Sequence, residues 1–336
     1  MTIREDREQI ERMILSPYAA FSAESKGRPV AEEPCSLRPV YQRDRDRILH
    51  CKAFRRMKHK TQVFLAPTGD HYRTRLTHTL EVAQIARSIA RSLRLNEDLT
   101  EAIALGHDLG HPPFGHAGES VLNELSPDGF AHYEQSVRVA QVLEKDGKGL
   151  NLTYEVCDGI LNHGTARMPA TLEGKIVRLS DKIAYINHDI DDAIRGQIIN
   201  EKDIPVIYTD ILGTSSKMRL NTLITDVIEN SMGKPDILMS DEIQKAMLGI
   251  RQYMFENVYT NPKGKSQDKK AQNVLRVLYH YFMKHPEQLP EENKRMMAEH
   301  GITTDRAVCD YLSGMTDQYT IELFEDIYVP KAWRIY

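Results

Sequence analysis

The sequence predicts an all-α protein with one dense polar site built where helices end. Three observations carry this. Apolar residues recur at three- and four-residue spacing through most of the chain, whereas strand signals are few and short. No internal repeat, heptad array or low-complexity tract interrupts that pattern. And thirteen residues, His107-Asp108-Leu109-Gly110-His111-Pro112-Pro113-Phe114-Gly115-His116-Ala117-Gly118-Glu119, pack three histidines and two carboxylates between glycines and prolines rather than among core residues.

Composition narrows the class. The 336 residues suffice for a large core, and 44 Lys and Arg against 48 Asp and Glu leave a net charge of −4. That balance argues against a general binder of nucleic acid or anionic membranes. Cys35, Cys51, Cys157 and Cys309 form no C-x-x-C pair, which fits free thiols in a reducing compartment. The charged Met1–Arg12 segment has no apolar run of a signal peptide, and no stretch reaches the ~18 apolar residues of a membrane span. The expectation is a soluble cytoplasmic protein with no membrane partner.

In chain order, residues 4–16 read as a short charged helix ending before Pro17, and residues 22–39, with Gly27, Pro29, Pro34 and Pro39, as an irregular arm. From Arg43, Ile48, Leu49, Phe54 and Met57 fall at helical spacing, and the alternating run Arg43 to Arg47 reads as a solvated, ion-paired face. Thr61–Leu65 reads as a short extended piece before a Pro67–Gly69 turn. Leu76–Leu95 is amphipathic through Val82, Ala86, Ile89 and Leu93, with His78 in its first turn and Arg75 just ahead of it. Asn96 caps the next helix, whose last turn carries His107 and Asp108 before Gly110 and the Pro112-Pro113 pair stop it. A connection this short makes the two helices antiparallel neighbours, so the start of one lies near the end of the other. His116 and Glu119, three apart, share one face of a new helix. Further helices are expected over 132–145, with His132 at the start, and from a Thr153 cap through Leu161. Over Thr171–Arg195, Leu179, Ile183, Ile186 and Ile190 line one side, and Asp181, Tyr185, His188 and Asp192 the other, flanked by Lys182 and Asp189. Beyond Gly196, helices are expected over 218–229, 240–258, 268–284 and 305–324, with a basic linker at Asn261–Lys265.

Helix geometry lets His78, His107, Asp108 and Asp181 converge, with His111, His116, Glu119 and His132 nearby. Eight of the thirteen histidines lie between residues 50 and 132. Two histidines and two carboxylates suit a borderline or hard divalent ion. Such an ion acidifies water and polarises phosphoryl oxygens, and the other His and Glu residues are placed to move protons. There is no P-loop, no Gly-rich dinucleotide fingerprint and no G-x-S-x-G.

The series His78, His107-Asp108, Asp181 resembles the H…HD…D ligand set of the HD-domain metal-dependent phosphohydrolases. A closer resemblance is carried by Arg45-Asp46-Arg47-Ile48, Phe54-Arg55-Arg56, Lys60-Thr61-Gln62-Val63-Phe64, Arg73-Thr74-Arg75-Leu76-Thr77-His78, the 107–119 stretch, Glu134-Gln135-Ser136, Asp181-Lys182-Ile183-Ala184-Tyr185 and Gly314-Met315-Thr316-Asp317. As a set these are similar to the bacterial deoxyguanosine triphosphate triphosphohydrolase-like proteins, relatives of the animal SAM-and-HD-domain dNTPase. The resemblance implies an HD-domain helical fold with additional C-terminal helices: an arm over 1–39, an HD core over 40–200 and a C-terminal helical region over 201–336. It implies hydrolysis of a deoxynucleoside triphosphate to deoxynucleoside and inorganic triphosphate. The cofactor would be a divalent ion, Mg²⁺, Mn²⁺ or Co²⁺, with Ni²⁺, Zn²⁺ and Fe²⁺ as alternatives, held by His78, His107, Asp108 and Asp181. Catalysis would fall to His116 and Glu119, with His111 and His132 beside them. Arg75 and Lys182 would contact phosphate, and Gln62, Tyr185 and Asp189 the deoxyribose. A homo-oligomer, and an allosteric nucleotide or single-stranded DNA as effector, are further implications. Where the family commonly reads H-N-x-Q-S, this chain has His132-Tyr133-Glu134-Gln135-Ser136. Alternatives are another HD phosphohydrolase (acting on cyclic nucleotides, guanosine tetraphosphate or nucleotides), in which His111 and His116 hold a second ion, or a nucleotide sensor with little turnover.

Overall fold

The computed structural model describes residues 1–62, 65, 72–261 and 267–331. Among them there is no strand, only a single antiparallel bridge between Thr61 and Thr74. The expected extended piece is therefore described only at Thr61, Gln62 and Leu65; Val63, Phe64, the Pro67–Gly69 turn and residues 262–265 of the basic linker lie outside the described residues.

The helices run in the order Ile3–Ile14 (α1), Val40–Leu49 (α2), Lys52–Arg56 (α3), Arg75–Ser92 (α4), Glu97–Gly106 (α5), Gly115–Leu125 (α6) and His132–Arg138 (α7), with the longest connection of this half, the N-terminal arm, between α1 and α2. The single turn Glu144–Gly147 (α8), Tyr154–Leu161 (α9) and Leu172–Arg195 (α10) complete the half that carries the site. Val206–Leu212 (α11), Ser216–Ser231 (α12), Asp241–Met254 (α13), Asp268–Lys284 (α14), Glu291–His300 (α15), Thr304–Ser313 (α16) and Asp317–Tyr328 (α17) follow. No helix of the described residues is long and apolar enough to cross a membrane.

Local chemistry explains the starts. Thr2 and Glu5 form a reciprocal capping box at α1, and Thr74, Asn96 and Thr171 accept N–H bonds at the first turns of α4, α5 and α10. The central helix α10 packs against α4, α5 and α9, and their apolar stripes merge into one core with Ile48, Val82, Ile89, Leu99, Ile103, Ile160, Ile183 and Ile190. Helices α12 and α13 add Leu223, Val227 and Ile250 to that same core. A second core joins Val121 and Leu122 of α6 to Leu275, Leu278 and Phe282 of α14 and Val308 and Leu312 of α16. The helix that carries His116 is thus fixed from its far side by the C-terminal helices.

Three expectations are corrected. The charged run in α2 is ion-paired and partly exposed at Arg43, Arg45, Asp46 and Arg47, but Asp44 departs from the expected solvated face. It is fully buried, takes the Arg28 guanidinium, and accepts from both the Thr153 N–H (2.8 Å) and the Thr153 hydroxyl (2.7 Å). Thr153 consequently stands at the N-cap position of α9 without capping it, because its hydroxyl is committed to Asp44. And the helix expected over 305–324 is two, broken at Gly314-Met315-Thr316, where the Thr316 side chain starts α17 by accepting from Tyr319 N–H.

Candidate metal centre and catalytic cluster

The antiparallel packing of α4 and α5 brings the first turn of α4 beside the end of α5, and α10 crosses both. His78 Nε2 lies 3.0 Å from Asp181 Oδ1. His107 caps the end of α5; its Nδ1 lies 2.7 Å from Ala104 O, which makes Nδ1 the protonated nitrogen and leaves Nε2 as a lone pair. Among the described residues that Nε2 is buried without a hydrogen-bond partner, 3.5 Å from Asp108 Oδ1 and 3.8 Å from Asp181 Oδ1. Leaving a buried acceptor unsatisfied costs about 1–3 kcal/mol. A nitrogen lone pair aimed at two carboxylates is the chemistry of a cation site. Ligand atoms of His78, His107 and Asp108 all lie within 4.8 Å of one another. The two-histidine, two-carboxylate set fits a divalent ion, and the backbone carbonyl on His107 orients the ring as an outer-shell partner does. Burial pushes the Asp108 and Asp181 carboxyls up, but the polar groups around them prevail. His107, the Arg75 guanidinium and the neighbouring imidazoles hold Asp108 well below its ordinary value, and the hydrogen bond with His78, together with the imidazoles of His107 and His163, lowers Asp181.

Asp108 sits between both halves of the site. Its Oδ1 is 3.6 Å from His111 Nε2, and its Oδ2 accepts from Arg75 Nη1 at 2.5 Å. Arg75 is 2 % exposed and also donates to Thr61 O, so its guanidinium lies under the cluster, not in the open. His111 and His132 stack with ring centres 4.0 Å apart, and one carboxylate, Glu119, serves two imidazoles: Oε1 is 2.8 Å from His132 Nδ1 and Oε2 3.3 Å from His116 Nδ1. Burial opposes ionisation of Glu119, yet the bonds from His116 and His132 hold it low. His132 is raised: burial works against its charge, but Glu119 outweighs burial. Burial and the neighbouring Arg75 hold His111 neutral.

His163, which spacing did not single out, closes the group. Its Nδ1 is bonded to Ile160 O, its Nε2 is 3.3 Å from His132 Nε2, and its ring meets that of His107 edge-on at 5.0 Å. Burial lowers its pKa to about 4, with His107 and His132 adding to the effect. Following a helix as a lone histidine, it carries no sequence signal of its own.

Ser136 and Gly110 hold the His107–His111 turn in place. Ser136 Oγ accepts from Gly110 N–H (2.8 Å) and donates to His107 O (2.7 Å). A Cβ on Gly110 would lie 2.2 Å from Ser136 N and 2.4 Å from Gln135 C, both backbone. Gly110→Ala should therefore destabilise the fold by at least the ~1–3 kcal/mol typical of overpacking. Chemical denaturation checks this, with no effect expected on the slope.

Beside His116 opens a cavity of about 330 Å³ lined by Gln62, Phe114, Tyr185, Phe255, Tyr259 and Asp268 among others. Tyr185 and Tyr259 stack with centres 5.3 Å apart. The Tyr259 hydroxyl donates to Asp189, which is 1 % exposed, so Asp189 faces Tyr259 before it faces the cavity. Lys182 is half-buried next to Asp181; desolvation, then Arg178 and Arg251, bring its pKa to about 8.

Fold and cluster define an HD-domain phosphohydrolase. The HD domain family matches residues 75–186, from Arg75 past Asp181, and the phosphohydrolase-associated domain matches residues 237–326. The chain is 58% identical over 333 residues to the deoxyguanosinetriphosphate triphosphohydrolase-like protein of Caldanaerobacter subterraneus subsp. tengcongensis, covering 99% of this chain and 98% of that one. It is 49% identical over 340 residues to the protein of the same description from Clostridium perfringens (strain SM101 / Type A), covering 98% and 99%. This chain belongs to the family of deoxyguanosinetriphosphate triphosphohydrolase-like proteins. Among solved structures, a hypothetical protein from Aquifex aeolicus matches 85% of this chain and 71% of its own with a TM-score of 0.48 and 19% identity.

Proposed function

We propose that the chain hydrolyses deoxynucleoside triphosphates at the α-phosphorus, releasing deoxynucleoside and inorganic triphosphate. The observation that carries the reading is adjacency. The His107 lone pair, without a hydrogen-bond partner among the described residues, the Glu119-bridged histidines and an aromatic-lined cavity of about 330 Å³ stand side by side. His78, His107, Asp108 and Asp181 would hold one divalent ion, Mg²⁺, Mn²⁺ or Co²⁺. When bound, that ion supplies positive charge at a phosphoryl oxygen and lowers the pKa of water.

The chain's own residues do the rest. His116 presents Nδ1 to Glu119 and is largely exposed, so Nε2 is free to face a substrate. As the water oxygen bonds to phosphorus and the bond to the 5′ oxygen breaks, Nε2–H gives its proton to that oxygen; the water releases its own proton to solvent. Glu119, fixed by His132, orients the His116 ring so that Nε2 faces the substrate. His111 and His132 line the phosphate path, with Arg75 behind Asp108 and Lys182 at the rim. Gln62 and Tyr185 take the deoxyribose, while Asp189, buried behind them, holds the Tyr259 ring that stacks on Tyr185. Cytoplasmic location, a homo-oligomer and a nucleotide or single-stranded DNA effector belong to the same proposal and rest on the family alone.

A second reading has one observation in its favour: Asp108, His111 and His132, and again His111, His116 and Glu119, bring ligand atoms within 4.8 Å. A two-ion HD phosphohydrolase would use these groups for metal instead of protons. Metal content separates the readings, one equivalent per chain against two.

The sugar test follows from Tyr185. Its ring, backed by Tyr259, forms an apolar wall of the cavity beside Gln62 and His116. A ribose 2′-hydroxyl packed there would be crowded and unpaired, at a cost of about 1–3 kcal/mol, or roughly tenfold to a hundredfold in kcat/KM. Native enzyme should prefer dGTP over GTP by that factor and Tyr185→Ala should erase most of it. An unchanged preference in the variant removes Tyr185 from the role.

A further inference from the structure

The helix carrying His116 and Glu119 starts without a side-chain cap of its own. Phe114, its N-cap residue, has left-handed backbone at φ 66°, and Gly115 follows at φ 56°. Left-handed backbone at a bulky residue is uncommon and persists where the surroundings enforce it. The enforcing contact comes from 203 residues away: Phe114 N–H donates to Asp317 Oδ1 at 2.9 Å. The other oxygen of the same carboxylate accepts from Thr61 N–H at 2.9 Å and from the Thr61 hydroxyl at 2.5 Å. Thr61 precedes Gln62, whose side chain lines the cavity, and its carbonyl accepts from Arg75.

One carboxylate thus joins the two backbone segments that present Gln62 and His116 to the same cavity. A second tie runs parallel to it: Lys60 Nζ, buried, donates to His111 O at 2.5 Å and to Ser313 O at 2.7 Å. The two ties end on either side of the turn between α16 and α17, at Ser313 and at Asp317, and Thr316 caps the first turn of α17, where Asp317 stands.

We infer that Asp317 is a positioning residue for the reaction, holding the start of α6 and the Thr61–Gln62 segment at the separation that aims His116 at a substrate bound beside Gln62. This rests on the hydrolase reading above. Asn cannot replace it. Both carboxylate oxygens receive N–H or O–H donors, so an amide NH₂ would meet a donor on one side whichever way it turned.

The test compares native enzyme, Asp317→Asn and Thr61→Val by steady-state kinetics on dGTP with Mn²⁺, bound-metal analysis, thermal midpoint and amide hydrogen exchange. Displacing a reacting group by about 1 Å costs roughly 10²-fold, so Asp317→Asn should lower kcat about 10- to 100-fold. KM should change less than about threefold, one equivalent of metal should remain, and the Thr61 and Phe114 amides should lose protection. Thr61→Val, which removes one of three donors and keeps the fold if Asp317→Asn does not, should lower kcat a few-fold. Native kcat with a lowered thermal midpoint would reduce Asp317 to a structural strap and overturn the inference. Unchanged exchange at both amides would overturn it as well. Absence of turnover in the native enzyme is a different failure, that of the hydrolase reading, and leaves the exchange result legible.

Discussion

Asp108→Asn should bind no divalent ion and hydrolyse no nucleotide above background, the largest effect expected of any single substitution here. Asp108 gives Oδ1 to the group formed with His107 and His111, and Oδ2 to Arg75. Removing its charge deprives the site of one of two carboxylates, and affinity for a hard cation falls accordingly. The choice of Asn matters. In Asp108→Ala the buried Arg75 guanidinium would lose its carboxylate, and breaking a buried pair in this way costs about 3–5 kcal/mol. Asn keeps an oxygen for Arg75 while losing the charge. Asp181→Ala is the companion variant, since Asp181 touches His78 and His107 but no arginine. Elemental analysis of metal-loaded, desalted protein should give one equivalent in the native chain and none in either variant, with far-UV circular dichroism unchanged. Full occupancy in both would remove these residues as ligands.

His116→Ala should lose roughly 10²–10⁴-fold in kcat, the usual contribution of a positioned acid–base group, while keeping its single equivalent of metal. The side chain is 66% exposed and, among the described residues, bonds only to Glu119, so stability should change by no more than about 0.5 kcal/mol. Glu119→Gln should be worse for the fold and similar for the rate, because Glu119 also accepts from the backbone and ring of His132. A His116→Ala protein that gives up a second equivalent of metal would establish the two-ion reading. One that retains native turnover would take His116 out of the chemistry.

What was legible in the sequence followed helix periodicity. The stripes of α4, α5 and α10 are enough to place His78 at one helix start, His107 and Asp108 at a helix end, and Asp181 on the polar side of a crossing helix. Spacing of three does the same for His116 and Glu119. What stayed hidden depends on contacts between distant segments, which no local pattern encodes. His163 is a lone histidine after a helix, and only the approach of α9 to α5 and α7 brings it against His107 and His132. Tyr259 meets Asp189 through a π-helical turn after α13. The run around Asp44 looked like solvated charge because sequence shows alternation but not the N-terminal arm, whose Arg28 buries it. Residues 305–324 looked like one helix because their apolar spacing continues across Gly314. The break at Thr316 is what turns Asp317 back toward the site.

The most direct test of the central claim is product analysis. Purified native protein is incubated with dGTP and Mg²⁺, Mn²⁺ or Co²⁺ in ¹⁸O-labelled water, and followed by ³¹P NMR with mass spectrometry. Attack on the α-phosphorus predicts deoxyguanosine and inorganic triphosphate in equal amounts, with ¹⁸O in the triphosphate and none in the nucleoside. Deoxyguanosine monophosphate with pyrophosphate, deoxyguanosine diphosphate with phosphate, or no turnover of any of the four deoxynucleoside triphosphates would contradict it.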